Sequence, residues 1–233
     1  MSLIKTINLS KTYTTQSEDV HALIDLSIEI NKGEILAISG PSGSGKTTLL
    51  NLIGLLDDIT KGEIELNNIK YSTLDKKEKT EIRKNMVGMI FQSYNLIPVL
   101  SAYENVEMAL NCLSKEQLAS LNVYNKKDKK DLCYSALKDV DLTNLENRRP
   151  NELSGGQQQR ISIARAIVKD PKVLLADEPT ANLDKANSEN ILDLISNLNE
   201  TKGLTCIYSS HDMLVLEHVK RIIKLEDGKL CLN

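Results

Sequence analysis

The chain has 233 residues, 41% hydrophobic and 26% charged, which is enough to bury a core of domain size and too apolar for a disordered chain. A formal net charge of −3, scattered lysines, a single phenylalanine (Phe91) and no tryptophan exclude the basic stripe and base-stacking platforms of a nucleic-acid binder. Four dispersed cysteines (Cys112, Cys133, Cys206, Cys231) with no C-x-x-C pair fit a reducing cytoplasm, and neither a signal peptide nor a run of ~18 apolar residues is present to enter a membrane.

In chain order, LIDLSIEI (23–30) largely alternates apolar with polar residues and Gly33 ends the run, which predicts a half-exposed strand on an antiparallel edge. EILAISG (34–40) reads as a buried strand. KTTLLNLIGLL (46–56) reads as a helix with Leu49, Leu50, Ile53 and Leu56 on one face. The apolar runs MVGMIFQ (86–92), KVLLADE (172–178) and LTCIYSSH (204–211) each end in polar residues, as strands of a parallel sheet do. Between Ser93 and Arg160 the pattern becomes helical, in SAYENVEMALNCL and in the lysine-rich KEQLASLNVYNKKDKKDLCYSALKDV, whose charge run at 126–130 reads as a solvated face. No repeat or Pro/Gly-rich linker interrupts the chain. It therefore reads as one domain of packed parts: residues 1–92 and 161–233 as a core, and 93–160 as a helical insertion.

The stretch GPSGSGKTT (40–48) matches G-x-x-x-x-G-K-[ST] and lies between a predicted strand and a predicted helix, the context in which that pattern binds phosphate. Gly40, Gly43 and Gly45 let main-chain N–H groups curl around phosphates, with Pro41, Ser42, Ser44 and Thr48 completing the loop. Lys46 can reach the β- and γ-phosphates, and the Thr47 hydroxyl can ligate Mg²⁺. VLLADEP (173–179) runs apolar residues into Asp177 and Glu178 at a strand's carboxyl end, where open α/β sheets hold ligands. Strand alternation points the two acids in opposite directions, so Asp177 is expected to hold Mg²⁺ through water and Glu178 to sit near the γ-phosphate beside the attacking water. Gln92 and His211 close two further strand-like runs. Gln92 is expected near Mg²⁺ and the lytic water, and His211 at the γ-phosphate.

LSGGQQQR (153–160) opens a helix with two glycines where good helix formers belong. Ser154 and Gln157 fit a capping box, and Ile161, Ala164, Ile167 and Val168 give a buried face starting just after the glycines. Each glycine costs the helix about 1 kcal/mol relative to alanine. Gly155 and Gly156 therefore imply something that approaches the main chain closely, and a helix N-terminus attracts phosphate.

These elements, with the aromatic-bearing LSKTYTT (9–15), IFQSYNLIP (90–98), ANLD (181–184) and SSHD (209–212), resemble in type and order the ATP-binding subunits of ABC transporters over nearly the whole chain. The resemblance implies an α/β fold: a P-loop NTPase (RecA-like) core with a mostly parallel sheet, an N-terminal antiparallel β subdomain and an inserted helical subdomain. It further implies ATP and Mg²⁺ as cofactors, Tyr13 stacked on adenine, Asp184 in the D-loop, and a head-to-tail, ATP-dependent homodimer. In that dimer Ser154, Gly155, Gly156 and Gln157 of one copy meet the nucleotide of the other. The implied role is ATP hydrolysis on the cytoplasmic face of the membrane, coupled to an integral permease that docks around Gln92 to Leu100, without insertion into the bilayer and without nucleic acid.

FQSYNLIPVLSAYENVEMAL and GSGKTTLLNLIGLLD are similar to the lipoprotein-releasing and macrolide-exporter type of ATPase, with a non-transporting cell-division ATPase as the alternative; Ala181 and Ser210 depart from the usual glycine and threonine. A third class, soluble ABC ATPases of repair or translation, carries coiled-coil or zinc insertions or tandem cassettes that this chain lacks. The chain ends with LEDGKLCLN, so no appended regulatory domain is expected.

Overall fold

The computed structural model describes residues 1–15 and 18–231; the final two residues of LEDGKLCLN, Leu232 and Asn233, lie outside the described residues. In chain order the elements are β1 (Ser2–Thr14), β2 (Asp19–Leu26), β3 (Glu29–Asn31), β4 (Ile35–Ser39), α1 (Lys46–Ile53), β5 (Lys61–Leu66), β6 (Ile69–Lys70), α2 (Lys76–Met86), β7 (Val87–Ile90), α3 (Ala102–Asn111), α4 (Lys115–Ser120), α5 (Lys126–Asp139), α6 (Gly155–Ile167), β8 (Val173–Asp177), α7 (Lys185–Lys202), β9 (Thr205–Ser209), α8 (Met213–Glu217), β10 (Arg221–Glu226) and β11 (Lys229–Leu230). They divide into two compact units, Met1–Arg83 with Leu198–Asn233, and Lys84–Asn197.

In the first unit β1 is the spine of an antiparallel sheet, paired with β2, β3 and β5, with β6 beyond β5. Ile4 and Thr6 point inward, but Asn8 adopts a left-handed φ of 45° and the alternation slips, so that Leu9 and Lys11 become the buried residues. One extra residue in a strand reverses the facing of everything after it. The consequence is that Leu9, Lys11 and Tyr13 share a face.

The single strand expected over 23–30 is in fact two, β2 and β3, separated at Ser27 and Ile28. Asp25, at φ 55°, turns the chain. The buried Thr6 hydroxyl takes up the backbone groups freed by the break, donating to the Leu26 carbonyl at 2.9 Å and accepting from the Ile28 amide at 2.9 Å. Buried main-chain groups need such partners, and Thr6 lets the strand break without leaving orphans.

The same unit holds a mixed sheet in which β4 runs parallel to β9 on one side and to β10 on the other, with β11 antiparallel to β10. Ile35 to Ile38 and all of β9 are buried, as the continuous apolar runs require. α1 buries Leu49, Leu50 and Ile53, but it stops at Gly54 and Leu55 turns left-handed at φ 56°. Leu56, expected on the helix face, therefore lies beyond the helix and is 46% exposed.

In the second unit β7 and β8 pair in parallel, Val87 opposite Val173. The helical insertion packs α3, α5 and α6 against one another around Val106, Leu110, Leu137, Ile161 and Ala164, all fully buried. Capping boxes fix three helix starts, Ser101 with Glu104, Ser114 with Gln117 and Ser154 with Gln157. Lys126, Lys127 and Lys130 on α5 are exposed, the solvated face expected of that run. α6 begins at Gly155 itself, so the glycines form its first turn and do not precede it.

These parts constitute a P-loop NTPase core of RecA-like type with a mostly parallel sheet, an N-terminal antiparallel subdomain and an inserted helical subdomain. Among the described residues no helix is long and apolar enough to cross a membrane.

Candidate functional site

The first unit carries the phosphate loop. Ser39 ends β4, and the chain curls through residues 40–45 into α1. Gly45 sits at φ 100°, and a Cβ there would lie 2.5 Å from the Ala22 carbonyl oxygen, so both conformation and space demand glycine. Lys46 is 8% exposed, and its ammonium donates to the carbonyls of Gly40 and Pro41 at 2.8 and 2.9 Å. The loop's own oxygens thus hold that charge over the loop. Ser44 is buried, and among the described residues its hydroxyl oxygen has no partner. A buried hydroxyl of this kind leaves a polar position for a ligand oxygen. Thr47 is exposed at the first turn of α1 and Thr48 is half-buried beside it.

Beyond β9, the Ser210 amide donates to the Ile38 carbonyl at 3.1 Å and the Ser210 hydroxyl accepts from the Asp212 amide at 3.1 Å. That turn sets the exposed His211 alongside the end of β4, the strand that feeds the phosphate loop.

Tyr13 is 38% exposed on β1. Its hydroxyl donates to Asp57 Oδ2 at 2.7 Å, while Lys11 Nζ donates to Asp57 Oδ1 and the Asp58 carbonyl, both at 2.7 Å, and lies 4.6 Å from the Tyr13 ring centroid. Partial burial, then the hydrogen bond to Asp57, pushes the Tyr13 phenol up. Partial burial would raise the Asp57 carboxyl, but the hydrogen bonds from Lys11 and Tyr13 hold it below its ordinary value.

The second unit carries the acids. Asp177 is the last residue of β8, and Glu178, just past the strand, takes φ 45°. The strand alternation expected to separate the two carboxylates thus ends at Asp177, and the left-handed turn at Glu178 sets its direction instead. A non-glycine residue there costs about 1–2 kcal/mol. Gln92 lies two residues beyond β7 and is exposed, its carbonyl accepting from the Asn182 side-chain amide at 2.8 Å. Tyr94 and Asn95 follow at φ 59° and 49°.

The same unit supplies a reason within the chain for the bare start of α6. A Cβ on Gly156 would lie 2.8 Å from Asn187 Oδ1, and Asn187 is pinned by Asp184, which accepts from its amide at 2.9 Å and from its side chain at 2.6 Å. A Cβ on Gly155 would meet the Tyr94 hydroxyl at 3.1 Å. The exposed Ser154 caps the helix, its hydroxyl accepting from the Gln157 amide at 3.3 Å, and the Gln157 side chain accepts from the Ser154 amide at 2.9 Å. The hydrogen bonds from Asn187 also hold the exposed Asp184 carboxyl below its usual range.

Sequence reading missed the residues that tie this unit together. Arg165 on α6 donates to the Tyr94 carbonyl at 2.7 Å and the Asn95 carbonyl at 2.5 Å. Fully buried Gln159 donates to the Pro179 carbonyl at 2.6 Å. Tyr94 donates to the Asn182 carbonyl at 3.4 Å. A glutamine in the polar start of α6 and an arginine in its last turn look like surface residues, and their partners are backbone atoms, which leave no mark in the sequence. Replacing Arg165 with Met is expected to cost about 2–3 kcal/mol, because two carbonyls in left-handed turns lose a charged donor. A thermal melt should fall by roughly 6 °C, and an unchanged melt would show that the loop holds itself.

A curled glycine loop entering a helix, with its lysine held above it, defines a P-loop protein that binds nucleotide phosphates, and the glycine-led helix in an inserted helical subdomain is what the resemblance to ATP-binding cassettes implies. A model of the ABC transporter family matches residues 23–181. The chain is 42% identical over 229 residues to the uncharacterized ABC transporter ATP-binding protein MJ0796 of Methanocaldococcus jannaschii, covering 98% of this chain and 95% of that one. It is 40% identical over 223 residues to the lipoprotein-releasing system ATP-binding protein LolD of Francisella tularensis subsp. holarctica, covering 96% and 93%. Among solved structures it is similar to the dimeric post-hydrolysis state of the ATP-binding cassette MJ0796 bound to ADP and Pi, with a TM-score of 0.86, 41% identity and coverage of 97% and 96%. This chain belongs to the ABC transporter family, as an ATP-binding subunit of the ATP-hydrolysing, Mg²⁺-using kind.

Proposed function

We propose that this subunit works as a head-to-tail dimer around two MgATP and drives an export permease of the lipoprotein-releasing or macrolide-exporter type from the cytoplasmic face of the membrane. In this reading the loop Gly40–Thr48 and Lys46 bind the phosphates and Tyr13 stacks on adenine. Thr47, Gln92 and Asp177 supply hydroxyl, amide and carboxylate oxygens, hard donors of the kind Mg²⁺ takes. Glu178 orients and deprotonates the attacking water, and His211 contacts the γ-phosphate. Ser154, Gly155, Gly156 and Gln157, with Asp184 behind them, cap the nucleotide of the second copy. ATP bridging two copies favours the closed dimer and hydrolysis removes that preference, a population shift that a permease can use.

The dimer is supported by the dimeric MJ0796 structure, and the export branch by the likeness to LolD. Docking of a permease rests on one observation in the chain itself: the segment after Gln92 is tied down by hydrogen bonds yet presents apolar surface. Buried Asn105 accepts from the Ile97 amide at 2.8 Å and donates to the carbonyls of Ile97, Leu100 and Ser101 at 3.0–3.2 Å, while Val99 is 72% exposed. Leu96, Ile97, Pro98, Val99 and Leu100 are all exposed or half-exposed, and a contiguous apolar stretch of this kind marks a protein contact.

The test is affinity capture of the tagged full chain from detergent-solubilised membranes of its own source. An integral membrane protein is expected to co-purify and to be lost with Val99→Asp, while ATP hydrolysis by the isolated subunit persists. Capture of a wall-enzyme activator that moves no solute would favour the cell-division alternative. Absence of any membrane partner, with ATPase stimulated by DNA or ribosomes, would overturn the proposal.

A further inference from the structure

We propose that Lys11 and Asp57 are positioning residues that set the Tyr13 ring for the purine base, with Lys11 occupying one face of the ring so that the base stacks only on the other. This rests on the reading that Tyr13 stacks on the base of ATP. A lone tyrosine at a strand end turns about two side-chain torsions, and fixing it costs binding entropy. Here two contacts fix it in advance. The carboxylate of Asp57 accepts from the ring hydroxyl at 2.7 Å and from Lys11 at 2.7 Å, so one group anchors both. The Lys11 ammonium lies 4.6 Å from the ring centroid and also donates to the Asp58 carbonyl at 2.7 Å.

The clamp runs from β1 to the segment just past α1, the helix that the phosphate loop enters. The ring and the loop are therefore held at a fixed spacing, which is what a ligand with a base at one end and phosphates at the other requires. Lys11 is 8% exposed, an unusual place for a lysine unless its charge is matched. The left-handed Asn8 is what turns Lys11 inward onto the face that carries Tyr13.

The experiment compares binding of MgATP with binding of inorganic triphosphate, which has no base, to the full chain and its variants. Lys11→Met is expected to weaken ATP about fivefold, the scale of a partly desolvated cation over a ring, and to leave triphosphate unchanged; Lys11→Arg should restore most of the loss. Tyr13→Phe, which keeps the ring and removes only its anchor, should weaken ATP about threefold. The double variant Lys11→Met with Asp57→Asn leaves no unmatched charge and should repeat the ATP-specific loss even if Lys11→Met alone folds poorly. Equal loss of ATP and triphosphate, or unaltered ATP binding in these variants while Tyr13→Ala still weakens ATP about tenfold, would overturn the inference and leave stacking intact. If Tyr13→Ala does not change the ratio of the two affinities, the stacking reading itself fails.

Discussion

Replacing Glu178 with Gln is expected to lower ATP turnover by about 10² to 10⁴, the range over which a general base contributes, while ATP still binds. The amide keeps the shape of the carboxylate and loses its basicity. A nucleotide that is bound and not cleaved should hold two copies together, so light scattering at saturating MgATP is expected to give the dimer mass for this variant. A monomer under those conditions would remove the basis for the trans-subunit role of Ser154 and Gly156.

The backbone adds a second readout at the same residue. With φ at 45°, Glu178→Gly should be more stable than Glu178→Ala by about 1 kcal/mol, a melt roughly 3 °C higher, because only glycine adopts that conformation freely. The reverse order would mean that the turn is not strained. A strained residue beside a strand end is the expected arrangement where direction matters more than stability.

Lys46→Ala is expected to weaken ATP about a hundredfold, measured by equilibrium titration, with little change in fold. The ammonium, 8% exposed and 2.8 and 2.9 Å from two loop carbonyls, is poised at the loop with most of its desolvation already incurred. Phosphate oxygens would replace carbonyls as its acceptors, and two charge-assisted hydrogen bonds account for a loss of that size. Lys46→Arg should be nearly as damaging, since a planar fork cannot occupy the space of a compact ammonium. Affinity unchanged by Lys46→Ala would mean that the main-chain amides bind the triphosphate unaided.

Much of this architecture is legible in the sequence because its signals are physical and local. The runs at 35–39, 173–177 and 205–209 are short, apolar and end in polar residues, and all three are strands. The capping box at Ser154 is likewise present where the spacing places it. Failures occur where tertiary contacts override the pattern. Leu56 keeps helical spacing, but Gly54 ends the helix two residues earlier; alternation over 23–30 continues through a break that the distant Thr6 stabilises. At the candidate site the motif residues are readable by type, whereas their supports are not. Arg165, Gln159 and Lys11 act on backbone atoms or on partners far along the chain, as with Asp57.

The anchors of α6 have a mechanical consequence. Successive residues of a helix are rotated by about 100°, so Gly156 against Asn187 and Arg165 on the carbonyls of Tyr94 and Asn95 grip nearly opposite sides of the same rod. A roll of α6 about its long axis would move Gly156 against Asn187 or draw Arg165 off its two carbonyls. A displacement of Tyr94 and Asn95 would therefore act on α6 through Arg165, nearly three turns along the helix from the two glycines at its tip.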